Sequence, residues 1–148
     1  MESILSISPP LLAIDPGREK CGVAVVTHQR IALAQEITQT ATLTMRIAYY
    51  VGKYGITTIV LGDRTGAREA RDLIRAAGFN LEIVFVNEDR SSEFGRRRFL
   101  QANPPGGWKK LLPIGLRSPE RPYDDYVAVI LAERYLDGLR STRIRRKK

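Results

Sequence analysis

The sequence predicts one α/β domain on a mixed five-stranded sheet, in which an antiparallel meander is followed by parallel strands and helices flank the whole. Three observations predict it. Apolar runs at 11–14, 22–27 and 31–37 are joined by links too short for a parallel crossover, so neighbours must run antiparallel. Near residue 40 the apolar period changes from that of a strand to that of a helix. From there helices and strands alternate, the pattern of parallel strands with covering helices.

The elements follow in order. The run 11–14 is stopped by Asp15-Pro16-Gly17, a turn signal, and the β-branched run 22–27 follows as its partner. A third strand spans 31–37. Leu43, Ile47, Tyr50, Val51 and Tyr54 fall at helical spacing, and Gly55 stands where a left-handed C-terminal residue is wanted, which predicts a helix over 41–54. A buried strand at 57–61, an amphipathic helix at 67–77 closed by Gly78, and a strand at 81–86 come next. Ser91 is placed to cap a helix reaching about residue 101, with Glu93 in its first turn, where the helix dipole favours an acid. Segment 103–122 holds Pro104, Pro105, Gly106, Gly107, Pro113, Gly115, Pro119 and Pro122, which exclude a long helix. A last helix is expected over 123–139. The division is a domain at 1–139 and a basic tail at 140–148, in which six of nine residues are cationic.

Composition narrows the function. A chain of 148 residues, 43% hydrophobic, encloses one core. Its 24 Lys and Arg against 16 Asp and Glu give a net charge of +8, which suits a polyanionic partner or a solvated surface. Cys21 has no second cysteine to pair with, and with His28 the only histidine there is no zinc cluster, which fits a reducing, cytoplasmic setting. Cys21 reads as a small buried hydrophobe and His28 as a surface turn residue. No run approaches the roughly 20 apolar residues of a membrane span, and residues 1–10 lack the basic start of a signal peptide.

Three acidic groups carry the candidate chemistry. Asp15 ends a buried strand, and Gly17 and Gly22 around it leave room for a ligand; the same residues also make an ordinary Asp-Pro-Gly turn. Glu88 and Asp89 follow the strand 81–86. If that strand is parallel to the first, its end shares the sheet edge where open α/β sheets bind ligands. Asp63 reaches this edge by the same reasoning, or caps the next helix. Asp124 and Asp125 open the last helix, both at the margin of its apolar stripe, and either also stabilises a helix N-terminus. Carboxylates gathered on one edge raise one another's pKa unless a cation neutralises them. An all-oxygen set suits one or two Mg²⁺ or Mn²⁺ ions, which activate water for phosphodiester hydrolysis.

These motifs carry a family resemblance. LLAIDPGREKCGVAVV resembles the N-terminal signature of YqgF/RuvC-like nucleases, NEDRSSEFGRRRF is similar to the segment after that family's last strand, and DDYVAVILAERYL resembles its closing helix. The resemblance implies an RNase H-like fold and a metal-dependent nuclease acting on ribosomal RNA precursors or on Holliday-junction-like branched DNA. Carried over by position, Asp15, Asp89 and Asp124 are the catalytic and metal-binding acids. Glu88 and Asp89 stand in inverted order relative to the family, so either reaches the metal, and Asp63 and Asp125 are secondary candidates. Glu19, where a basic residue is common, is a further departure.

Structured RNA or branched DNA is the expected partner, with Arg18, Lys20, Arg90, Arg96, Arg97, Arg98, Lys109 and Lys110 as candidate phosphate contacts and Trp108 and Tyr123 as candidate stacking residues. A homodimer is compatible with this reading. Two other classes stay open: a nucleic-acid-binding protein without turnover, and an ATP-using relative of the actin-like and sugar-kinase domains that share the fold.

Overall fold

A computed structural model describes residues 8–64, 66–119 and 121–146, with side chains described as far as residue 139. The meander is β1 (Leu11–Asp15), β2 (Lys20–Val26) and β3 (Ala32–Gln39). It is followed by α1 (Leu43–Tyr54), β4 (Thr58–Gly62), α2 (Ala67–Ala76), β5 (Glu82–Val86), α3 (Ser91–Ala102) and α4 (Asp124–Arg146). The sheet order is β3-β2-β1-β4-β5, with β1 antiparallel to β2 and parallel to β4, and β4 parallel to β5. The expected mixed sheet is therefore present, with Asp15 at the end of its central strand.

Alternation along the strands divides the core into two layers. Leu12, Ile14, Val23, Val25, Ile59 and Leu61 point to one face, where Leu43 and Ile47 of α1 and Ile74 of α2 cover them. Leu11, Ala13, Ala24, Val26, Val60 and Val86 point to the other, where Ala128, Leu131 and Leu136 of α4 pack. Burying a large aliphatic side chain contributes roughly 1.5–3 kcal/mol, so these layers fix the register firmly. Helix α3 lies on α4, with Gly95 against Val127 and Phe99 edge-on to Tyr126 at 5.5 Å. Gly55 ends α1 in the left-handed conformation, φ 67°, its N–H bonded to the Val51 carbonyl at 2.9 Å, as the sequence predicted.

Two local expectations are corrected. Ser91 is not a side-chain cap: it is the first residue of α3, buried, and the preceding position is Arg90 at φ 61°. The backbone of α4 continues to Arg146 instead of stopping near residue 139, because nothing in 140–146 breaks a helix and Gly138 alone does not. Segment 103–122 contains only two short 3₁₀ turns among its described residues, Gly107–Leu111 and Ile114–Leu116, as its prolines and glycines demand. Most of the first ten residues and the last two of the basic tail lie outside the described residues. Among the described residues, no helix is long and apolar enough to cross a membrane.

Candidate metal centre

The strand alternation that buries Leu11 and Ala13 turns Asp15 to the α4 face of the sheet. Its neighbours there on both sides are glycines. Gly22 pairs with Asp15 across β1 and β2, and Gly62 follows Leu61, the partner of Ile14 on β4. A Cβ at Gly22 would stand 1.9 Å from the Asp124 carbonyl oxygen. One at Gly62 would stand 2.3 Å from the Glu88 carboxyl carbon. The two missing side chains thus admit the first turn of α4 from one side and the Glu88 side chain, reaching over β4, from the other. The room at Gly22, expected for a ligand, is filled by the protein's own helix, and at Gly17 the Lys20 carbonyl fills it, 2.3 Å from where a Cβ would be.

The outcome is a cluster of Asp15, Glu88 and Asp124. Burial pushes the Asp15 carboxyl up to about 8, and the facing Glu88 carboxyl and then Asp124 add to the rise. Glu88 is only 6% exposed. It is held closely: the Arg64 N–H donates to Glu88 Oε2 at 2.8 Å, and the Glu88 N–H donates to Asp63 Oδ1 at 3.1 Å. Arg134 of α4 clasps the backbone on either side, donating to the carbonyls of Asn87 and Asp89 at 2.6 Å each, with its guanidinium over the Phe94 ring. Arg90, at positive φ, closes the turn into α3 at a conformational cost of about 1 kcal/mol, a form of strain common at functional sites.

The remaining acids are placed elsewhere. Asp89 points to solvent, its side chain 77% exposed and paired with Arg64 at 3.2 Å. Asp125 is buried on the far side of the helix turn, accepting from Gln35 Nε2 at 3.2 Å and from Arg121 at 3.2 Å. Asp63 supports Glu88 through the backbone and is not the cap of α2, whose N-terminal position is Gly66. Sequence reasoning named Asp124 outright and Glu88 as the alternative to Asp89, and missed Gly62 and Arg134. A glycine closing an otherwise β-branched strand was the available signal for the first. Arg134 lies on the polar side of the helical pattern, and nothing in the pattern distinguishes it.

Of the predicted phosphate contacts, Lys20 faces Asp124 at 3.5 Å, Arg90 pairs with Glu93 at 2.9 Å, and Arg98 forms a double hydrogen bond to Glu133 at 2.9 and 3.1 Å. Arg96 donates to the Arg117 carbonyl. Arg18, Arg97, Lys109 and Lys110 lie towards solvent.

No protein-family model and no curated protein sequence matches the chain. Solved structures do. A Thermus thermophilus RuvC in complex with a Holliday junction substrate superposes with a TM-score of 0.63 at 15% identity, covering 91% of this chain and 97% of the other. A second Thermus thermophilus RuvC structure gives 0.50 at 14% identity, covering 83% and 90%. The chain has the RNase H-like fold of RuvC. Within that RuvC-like fold the cluster lies at the C-terminal end of β1, the edge where such sheets bind ligands.

Among the described residues, no three His, Cys, Asp or Glu side chains form a ready metal cage. The donor set nevertheless fits a hard divalent cation: three carboxyl groups, one held protonated near neutrality only by burial and by the other two. Asp15, Glu88 and Asp124 are the residues that would hold such a cation, whose charge would take the place of that proton.

Proposed function

We propose that this protein is a metal-dependent nuclease that hydrolyses nucleic-acid phosphodiesters, with Asp15, Glu88 and Asp124 as its metal-holding acids. The observation that carries the reading is the convergence of these three residues, from remote parts of the chain, around a carboxyl group pushed up to about 8. Glu88 takes the place that the family resemblance gave to Asp89, whose side chain faces solvent. One or two Mg²⁺ or Mn²⁺ ions bound there supply activated water and stabilise the leaving oxygen.

The chain's own residues supply position. Asp15 sits on the central strand, which fixes its carboxylate, while Arg64 and Asp63 fix Glu88 from below and Arg134 fixes its loop from above. Lys20, at 3.5 Å from Asp124, is placed to meet a phosphate that approaches the acids. The net charge of +8 favours association with a polyanion. Branched DNA, suggested by the RuvC fold, and structured RNA such as a ribosomal RNA precursor are the two substrate classes, and a cytoplasmic enzyme is the corresponding setting.

A cleavage panel of structured RNA, single-stranded RNA and four-way DNA junction, run with Mg²⁺, Mn²⁺ or chelator, tests the proposal. The parent cleaves one of them only with metal, and Asp15→Asn loses on the order of a hundredfold or more while still binding. Equal cleavage by Asp15→Asn, or cleavage in chelator, overturns it.

A further inference from the structure

Segment 103–122 leads from the end of α3 directly into Asp124, and it is braced to the domain. Arg96 donates to the Arg117 carbonyl, and Arg117 in turn donates to the carbonyls of Leu112 at 2.9 Å and Lys110 at 3.0 Å. On this braced segment Trp108 is 68% exposed and Leu111 86%. A large aromatic ring held in water by an ordered turn is free-energetically unfavourable, and the segment's own packing does not cover it. Beside it lies a groove of about 830 Å³, lined from Asn103 past Lys109 and Arg117 to Arg121. At that end Arg121 donates to Asp125 in the first turn of α4.

Charge selects the occupant. Among the described residues the groove lining holds no acidic side chain, and in sequence the segment carries Lys109, Lys110, Arg117 and Arg121 against Glu120 alone. Lys109 and Lys110, next to the indole, are exposed, and among the described residues neither forms an ion pair. An apolar protein partner or a second copy of this basic chain would have to desolvate both ammonium groups against nothing. A nucleic-acid strand supplies what each part of the surface lacks: a π face for the indole and phosphates for the lysines. Bases inside a duplex are already stacked on both faces, so only an unpaired base reaches the ring.

We propose that Trp108, Lys109 and Lys110 form a docking site for an unpaired nucleotide of a nucleic-acid strand, its base stacked on the indole and its flanking phosphates on the two ammonium groups. The site rests on the nucleic-acid reading above and deepens it, because it names an unpaired strand as the feature of the nucleic acid that the protein grips.

Trp108 is the only tryptophan in the chain, so its emission reports on the site without a label. The full chain is titrated, without divalent metal, with a short single-stranded oligonucleotide, the same strand made abasic, and a blunt duplex. The single strand quenches the emission by about half or more, and the abasic strand binds without quenching. By anisotropy of labelled probes, Trp108→Ala weakens single-strand binding about tenfold and duplex binding less than about twofold, while Trp108→Phe keeps most of the single-strand affinity. Single-strand binding with unchanged emission, equal quenching by the abasic strand, or parent-like affinity of Trp108→Ala overturns the docking site and leaves the nuclease reading standing. Emission that shifts with protein concentration alone identifies a second copy as the occupant and also overturns it. No binding of any probe by the parent overturns both. Should Trp108→Ala fail to fold, the quenching experiment on the parent and the Trp108→Phe variant decide.

Discussion

Asp15 is the residue on which the electrostatics of the molecule turn. Its carboxyl is pushed up from an ordinary 3.8 to about 8, by burial first and then by Glu88 and Asp124. The folded protein therefore keeps a proton that the unfolded chain has released once the pH passes about 4. Folding stability is then highest below that pH and is lost as the pH rises towards about 8. In chelator the melting temperature should fall by on the order of 5 °C between about pH 5 and pH 8.5, and Asp15→Asn should flatten that slope. Mg²⁺ should restore the parent at the alkaline end and leave the variant unchanged. A parent melting temperature that rises with pH over this window would show that Asp15 is not buried among the other acids. Asp15 was legible in the sequence as a candidate because an acid ends an apolar strand there, although an ordinary Asp-Pro-Gly turn accounts for the same residues. The choice between Glu88 and Asp89 was not, since it depends on which side chain turns inward after β5. Alternation carried two residues past Val86 gives Glu88, but only if the strand geometry persists beyond the last ladder pair.

The strands were readable as elements because their apolar runs are short and bounded by turn residues, and α1 because its apolar period and Gly55 agree. The end of α4 was not, because a run of cations reads as a tail whether or not its backbone is helical. What the element pattern also hid is the pairing of strands with close-packed segments through Gly22 and Gly62. These glycines act differently. A Cβ at Gly22 meets the backbone of Asp124 at 1.9 Å, so Gly22→Ala forces α4 off the sheet and should cost on the order of 2–4 kcal/mol of stability. A Cβ at Gly62 meets the end of the Glu88 side chain at 2.3 Å, so Gly62→Ala should cost less than about 1 kcal/mol while displacing the carboxyl group and lowering cleavage at least about tenfold. Thermal melts and cleavage rates of the two variants, taken together, check this separation. Comparable stability losses in both would mean that Glu88 is as rigidly packed as the helix.

At the scale of the whole molecule, topology was legible because link length decides it: two short turns and then two helical crossovers leave β1 central and put the ends of β1, β4 and β5 on one edge. That order brings together the acids of β1 and of the loop after β5, and Asp124 joins them because the first turn of α4 packs on β2 at Gly22. Basic charge is spread more widely, and much of it is engaged within the protein, as in the Arg98 pair with Glu133. The segment 140–148 carries six cations in its sequence. Its removal should weaken binding to all nucleic acids alike and lower the slope of affinity against salt, by about 0.9 for each duplex phosphate that the tail neutralises, without lowering the melting temperature. An unchanged slope would assign those cations to solubility. The claim on which the functional account rests is that Asp15, Glu88 and Asp124, and not Asp89, hold the divalent ion. Calorimetric titration of Mn²⁺ into the parent, Asp15→Asn, Glu88→Gln and Asp89→Asn tests it most directly. The account predicts that the first two substitutions weaken binding at least about tenfold and that Asp89→Asn stays within about twofold of the parent; loss of binding in Asp89→Asn with Glu88→Gln unaffected would contradict it.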